Sequence, residues 1–222
     1  MRKQHVAVLT TITLIIFCSV HNASDVRADT AGGALVDATG ASTQSQALMH
    51  YLSAGDNHTC IVLSDNSVKC FGMSADGQLG SGTTDNIGDG VGLSVASSSA
   101  VALGAGRTVR AISAGASHTC ALLDNATVKC WGSGLYGRLG YEGSADRGNS
   151  TGQMADSLPA VALGTGRTAL QITVGSQHSC ALLDNSSVKC WGRGTYGQLG
   201  IGSTATIGDG VGEMGDSLVA VA

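Results

Sequence analysis

The chain has 222 residues, a formal charge of −4, 33 glycines against one proline, and only 4% aromatic side chains. An acidic balance without a basic stripe gives no electrostatic support for nucleic-acid binding, so that class is set aside. The glycines punctuate regular apolar runs, which describes a turn-dense β-protein and not a disordered chain.

Met1-Arg2-Lys3-Gln4-His5 is a basic start, Val6 to Phe17 carries no charge, and Val20 to Ala28 is small and polar. This layout predicts a signal peptide over residues 1–28, cleaved after Ala28 or Ala23, because the apolar run is too short to span a membrane. Removal of that segment leaves no expected membrane association, and nine of the 12 basic and 15 of the 16 acidic residues remain, a formal −6. Residues 29–48 are rich in Ala, Gly, Thr, Ser and Gln and are expected to form a flexible leader. The predicted localisation is secreted or periplasmic.

From residue 49 onward the chain repeats itself. Gly55 to Gly80, Gly115 to Gly140 and Gly175 to Gly200 are copies, with His58, His118 and His178 spaced 60 residues apart. A fixed period of this kind means stacked units, each too small to bury its own apolar face. In the middle copy His118–Leu123 and Val128–Gly132 suit two strands, and Asp124-Asn125-Ala126-Thr127 suits the turn between them. Side-chain alternation then sets Leu122 opposite Val128 and Cys120 opposite Cys130, at the close separation a disulfide needs. Val109–Ala114 supplies a third strand, and Ala100–Leu103, with Pro159–Leu163 one repeat later, supplies a fourth. The predicted class is all-β, with blade cores near 49–82, 109–142 and 169–202.

The pattern Gly115, His118, Ala121, Leu122, Trp131, Gly132, Gly137, Leu139 and Gly140, matched in the other two copies, resembles the repeat of the regulator of chromosome condensation family. That resemblance implies a partial β-propeller of about three four-stranded blades, a piece of a seven-bladed ring. The 60-residue period aligns Ala222 with Ala162, so the chain is expected to be a fragment of a longer protein. Two departures stand out. The segment after each Leu-Gly is longer than in the family, and the paired cysteines are not a general family feature.

Seven cysteines less Cys18 leave Cys60/Cys70, Cys120/Cys130 and Cys180/Cys190, one pair per hairpin. In an exported chain these read as disulfides. Each closed loop contributes about 2.8 kcal/mol in the chain-entropy account. A zinc reading fails on ligand number, since each repeat offers three ligands where a structural site uses four. No metal and no cofactor is expected. The Gly/Asp segments Asp85 to Gly92 and Thr206 to Gly212 lack EF-hand spacing and are read as ordinary turns. The expansions that hold them, Gly80 to Ser99, Gly140 to Leu158 and Gly200 to Leu218, are expected on one rim, where binding loops reside.

No catalytic constellation is present, because a catalytic group is singular and these histidines recur in every copy. His58, His118 and His178 are read as structural, each hydrogen-bonding the backbone of its own blade. Trp131 and Trp191, with Phe71 in the first copy, are read as packing residues. Asn22, Asn57, Asn125, Asn149 and Asn185 begin Asn-x-Ser/Thr triplets, and Asn125 and Asn185 fall at hairpin tips. The expected function is a secreted protein-binding or scaffold module, with no catalysis and an unknown protein partner. The resemblance offers one alternative: intracellular guanine-nucleotide exchange on a small GTPase, which the signal peptide, cysteines and charge oppose.

Overall fold

A computed structural model describes residues 51–221; the expected signal peptide and leader lie outside the described residues. Nine strands form three antiparallel sheets of three, each in simple meander order. Blade one comprises β1 (Leu52–Ala54), β2 (His58–Val62) and β3 (Val68–Gly72). Blade two comprises β4 (Val109–Ala114), β5 (His118–Leu123) and β6 (Val128–Gly132). Blade three comprises β7 (Ala169–Val174), β8 (His178–Leu183) and β9 (Val188–Gly192).

The hairpin registers match the alternation read from the sequence. Cys120 stands opposite Cys130 and Leu122 opposite Val128, and the same pairs recur in the other blades. The turn chemistry explains why. Asn125 Oδ1 accepts from the Thr127 amide at 3.2 Å and from its hydroxyl at 2.8 Å, while Leu123 N donates to Thr127 O at 2.9 Å. Ala126 takes up the resulting left-handed position at φ 63°, as Asn66 and Ser186 do in the other copies. Asp65 plays the Asn125 part in blade one, and hydrogen bonds from Ser67 lower its carboxyl from the usual value.

The fourth segment departs from expectation in extent. It forms no strand, and it does not join the sheet that follows it in sequence. Val101 N donates to Val68 O, Val161 N to Val128 O and Val221 N to Val188 O, each at 2.8 Å. Each segment therefore lies against the third strand of the preceding repeat. Two features stop it from propagating a ladder. Gly104 and Gly164 turn the chain away at φ near 120°, and lysine ammonium groups take the carbonyls that a ladder would use.

The core lies between blades. Cys60, Val62, Val68 and Cys70 of blade one meet Ile112, Ala121, Leu123 and Trp131 of blade two, with Leu79, Ile87, Leu103 and Leu158 closing the cluster. Cys120, Leu122, Val128 and Cys130 meet Ile172, Ala181, Leu183 and Trp191 in the same way one repeat later. Both tryptophans are wholly buried. Burying a large apolar side chain contributes about 1.5–3 kcal/mol, so each interface stabilises the two blades that share it.

Candidate binding surface

Each hairpin is closed by its own disulfide, Cys60–Cys70, Cys120–Cys130 and Cys180–Cys190, with Cα–Cα separations of 4.1 Å. The sulfurs of the first two bridges sit inside the inter-blade cores. Among the described residues, no group of three or more His, Cys, Asp or Glu is placed to hold a metal ion.

The histidines do not bond the backbone of their own blades, as the sequence reading expected. His58 Nε2 reaches Thr119 Oγ1 of blade two at 2.8 Å, and His118 Nε2 reaches Ser179 Oγ of blade three at 3.0 Å. The Thr119 hydroxyl donates onward to Gln78 O at 3.1 Å, and the Ser179 hydroxyl to Arg138 O at 2.9 Å. A hydroxyl has one proton to give, so the imidazole Nε2 must be the donor to it. The relay thus leaves blade one at His58, crosses to Thr119, and returns to blade one at Gln78. Trp131 Nε1 adds a second bond to Gln78 O at 3.0 Å, and Trp191 Nε1 does the same to Arg138 O. The signal missed in the sequence is the hydroxyl residue directly after each histidine.

This arrangement fixes charge as well as position. His58 and His118 are buried, and their Nδ1 atoms have no hydrogen-bond partner. Burial lowers His58 to about 4, with Asp56 opposing. Burial lowers His118 well below its ordinary value, helped by Arg138 and the other two histidines. His178, half-buried, is lowered by burial alone. His58 and His118 are thus neutral near pH 7, which suits struts between blades.

A second repeated polar group ties the expansions down. Lys69 Nζ donates to Val95 O and Ala96 O, Lys129 Nζ to Leu103 O and Ala155 O, and Lys189 Nζ to Leu163 O and Gly215 O, all within 3.1 Å. Burial lowers the Lys129 ammonium, opposed by Asp156. In these positions the lysines are internal clamps and are not available to a ligand.

What remains free lies in the loops that follow the third strands. In blade two a short 3-10 turn, Leu135–Gly137, holds Tyr136 at a left-handed φ of 63°. Arg138 is buried beneath it, with Nε donating to Leu135 O at 2.7 Å. Burial lowers its guanidinium, and Asp76, Tyr136 and Asp146 oppose this. In blade three Arg193 lies 5.1 Å from the Tyr136 ring centre and 5.5 Å from that of Tyr196. Its Nε donates to Thr195 Oγ1 at 2.9 Å and its Nη1 to Gln177 Oε1 at 2.6 Å. Leu135 is 50% exposed and Tyr196 83%. The sequence reading did not single out these residues, because they vary between copies: Asp76 stands where Tyr136 and Tyr196 do, and Met73 where Arg193 does.

Comparison with known proteins agrees with this architecture. The model of the Regulator of chromosome condensation (RCC1) repeat matches at residues 50–78, 109–138 and 170–198. This chain belongs to the RCC1-repeat family. The Arabidopsis thaliana ultraviolet-B receptor UVR8 is 34% identical over 154 residues, which are 69% of this chain and 31% of the receptor. The human E3 ubiquitin-protein ligase HERC2 is 31% identical over 153 residues, 68% of this chain and 3% of the ligase. Prp20p from Saccharomyces cerevisiae superposes with a TM-score of 0.55 at 20% identity, covering 78% of this chain and 38% of that one. The chain therefore spans about a third of the plant receptor and a small part of the ligase. The RCC1-repeat fold here is a partial β-propeller carrying one disulfide per hairpin.

Proposed function

We propose that this chain is an exported RCC1-repeat segment that binds a protein partner through the loops after its third strands, and that it performs no catalysis. The observation that carries this reading is a division of labour. Repeated histidines and hydroxyls are consumed where two described blades meet and repeated lysines by insert clamps, while Arg193 and Leu135, which differ between repeats, stand on the rim. Tyr and Arg are the residues enriched at binding hot spots, and the group holds no acid–base or nucleophilic pair. A propeller fold by itself does not decide among functions, so the reading is drawn from these side chains.

The three intra-hairpin disulfides support an oxidising compartment, secreted or periplasmic, in line with the basic and apolar start of the sequence. No helix among the described residues is long and apolar enough to cross a membrane. Two measurements test the proposal. A thiol count on the folded protein is expected to find none of the six repeat cysteines free, and six free thiols would overturn export. A photoreactive side chain placed at Leu135 is expected to form adducts with the partner, while one at the hairpin tip Asn185 is not. Equal labelling from both positions would overturn the assignment of the rim.

A further inference from the structure

Three arginines of the described residues show what is ordinary here and what is not. Arg107 pairs with Asp124 at 3.5 Å and Arg167 with Asp184 at 3.4 Å, repeat-equivalent surface pairs. Arg193 has no carboxylate within ion-pair reach among the described residues. Its guanidinium is instead held between the Tyr136 and Tyr196 rings and by two neutral acceptors, Thr195 and Gln177. Aromatic faces within about 6 Å attract a cation without neutralising it. The side chain is thus fixed in place with its charge unspent, and its Nη2 hydrogens remain free for a planar oxyanion.

The surroundings define what fits. Asp146, the acid beside this loop, accepts from the Gly134 amide at 2.9 Å through its Oδ1, and both Asp76 and Asp146 act on the buried Arg138. Arg193 is thus the cation of this loop left without a carboxylate, on a chain whose formal charge is −4. Next to the cation stand the exposed Tyr196 ring and the exposed Leu135 side chain, an apolar area on either side of one charge. Tyr136, which supplies the inner ring, occupies a left-handed φ that a non-glycine residue holds only when its surroundings impose it, a form of strain that collects at binding sites.

We infer that Tyr136, Arg193 and Tyr196 form a docking platform, built across blades two and three, for an acidic peptide segment of a protein partner. One carboxylate of the segment engages the Arg193 guanidinium, and flanking apolar side chains lie on Tyr196 and Leu135. Because the guanidinium is immobilised before the ligand arrives, little rotamer entropy is lost on binding. The net negative charge of the rest of the molecule restricts the ligand to a short segment that fits locally. The inference rests on the protein-binding reading above and names the chemistry of that partner.

The test uses the full chain and a fluorescein-labelled decapeptide of alternating glutamate and leucine, read by fluorescence anisotropy at low and moderate salt. Wild-type protein is expected to bind it. Arg193→Gln should weaken binding at least ten-fold, Tyr196→Ala about three- to ten-fold, and Arg193→Lys should fall between, since lysine keeps the charge and loses the planar fork. Tyr196 is 83% exposed, so its replacement leaves the fold intact and keeps the test valid. Absence of binding to wild-type protein, or wild-type affinity in Arg193→Gln and Tyr196→Ala, overturns the platform. An Arg193-dependent dimer in sedimentation without peptide binding also overturns it, in favour of a second copy as occupant. A partner that cross-links from Leu135 equally well to Arg193→Gln overturns the platform alone and leaves the protein-binding reading standing.

Discussion

Blade one and blade two are built from nearly the same sequence, and their differences lie on one face. Blade two presents Trp131, Ala121 and Thr119 to blade one, and all three are buried. Blade one carries Phe71, Ile61 and Thr59 at the matching positions, half-exposed, with no described blade against them. The second contrast is on the rim, where Asp76 of blade one is replaced by Tyr136 in blade two. Trp131 fills the space between two blades and donates to the neighbour's carbonyl, whereas Phe71 meets no described blade on that face.

The contrast is broken most severely at the tryptophan. Trp131→Ala is expected to cost about 3–5 kcal/mol in chemical denaturation, and Phe71→Ala less than half of that. Equal losses would mean that the Phe71 face is covered as fully as the Trp131 face. Reduction of the disulfides comes next, at about 2.8 kcal/mol per bridge for loops of this length. The Cys120–Cys130 bridge, buried between blades two and three, should resist reductant longer than Cys180–Cys190, part of which is accessible; mass spectrometry of alkylated intermediates checks the order.

The relay gives a smaller and more specific effect. Thr119→Val keeps the shape and removes the hydroxyl, leaving the His58 Nε2 proton buried without its acceptor, at a cost of about 1–3 kcal/mol. Val substituted at Thr59, the half-exposed counterpart in blade one, should be close to neutral.

The pH response sharpens the comparison further. A histidine whose folded pKa lies below its unfolded value of about 6.5 binds more protons when unfolded, so stability is complete above pH 6.5 and falls as pH drops toward the folded value. His58, lowered to about 4, and His118, lowered well below its ordinary value, should make denaturation midpoints decline as pH falls from 6.5 toward 4. The slope is at most about 1.4 kcal/mol per pH unit for each histidine. His118→Gln should flatten that decline more than His178→Gln, whose site is half-exposed.

Local order was legible because it is encoded locally. The Cys120–Cys130 register follows from alternation about a four-residue turn, and every residue that sets it lies within His118–Gly132. The partner of His58 lies 61 residues away on another sheet, and no nearby pattern names it. The segment Ala100–Leu103 is legible as an apolar run, but such a run does not state which edge it will meet. The rim escaped notice for a different reason. A repeat draws the eye to what recurs, and Met73, Ser133 and Arg193 are a position that does not recur.

Because Val101 bonds back to Val68 and Val161 back to Val128, the joints of the architecture fall at Gly104 and Gly164 and not at the edges of the recurring motif. Transplanting a unit cut at the motif boundary would carry away one sheet and strand its outermost segment on the donor. Cuts made just beyond Gly104 and Gly164 would keep each sheet with its outermost segment, at the cost of the bonds from Lys129 to Leu103 and from Lys189 to Leu163. Recombination during evolution faces the same geometry, so viable exchanges should cluster at these two glycines.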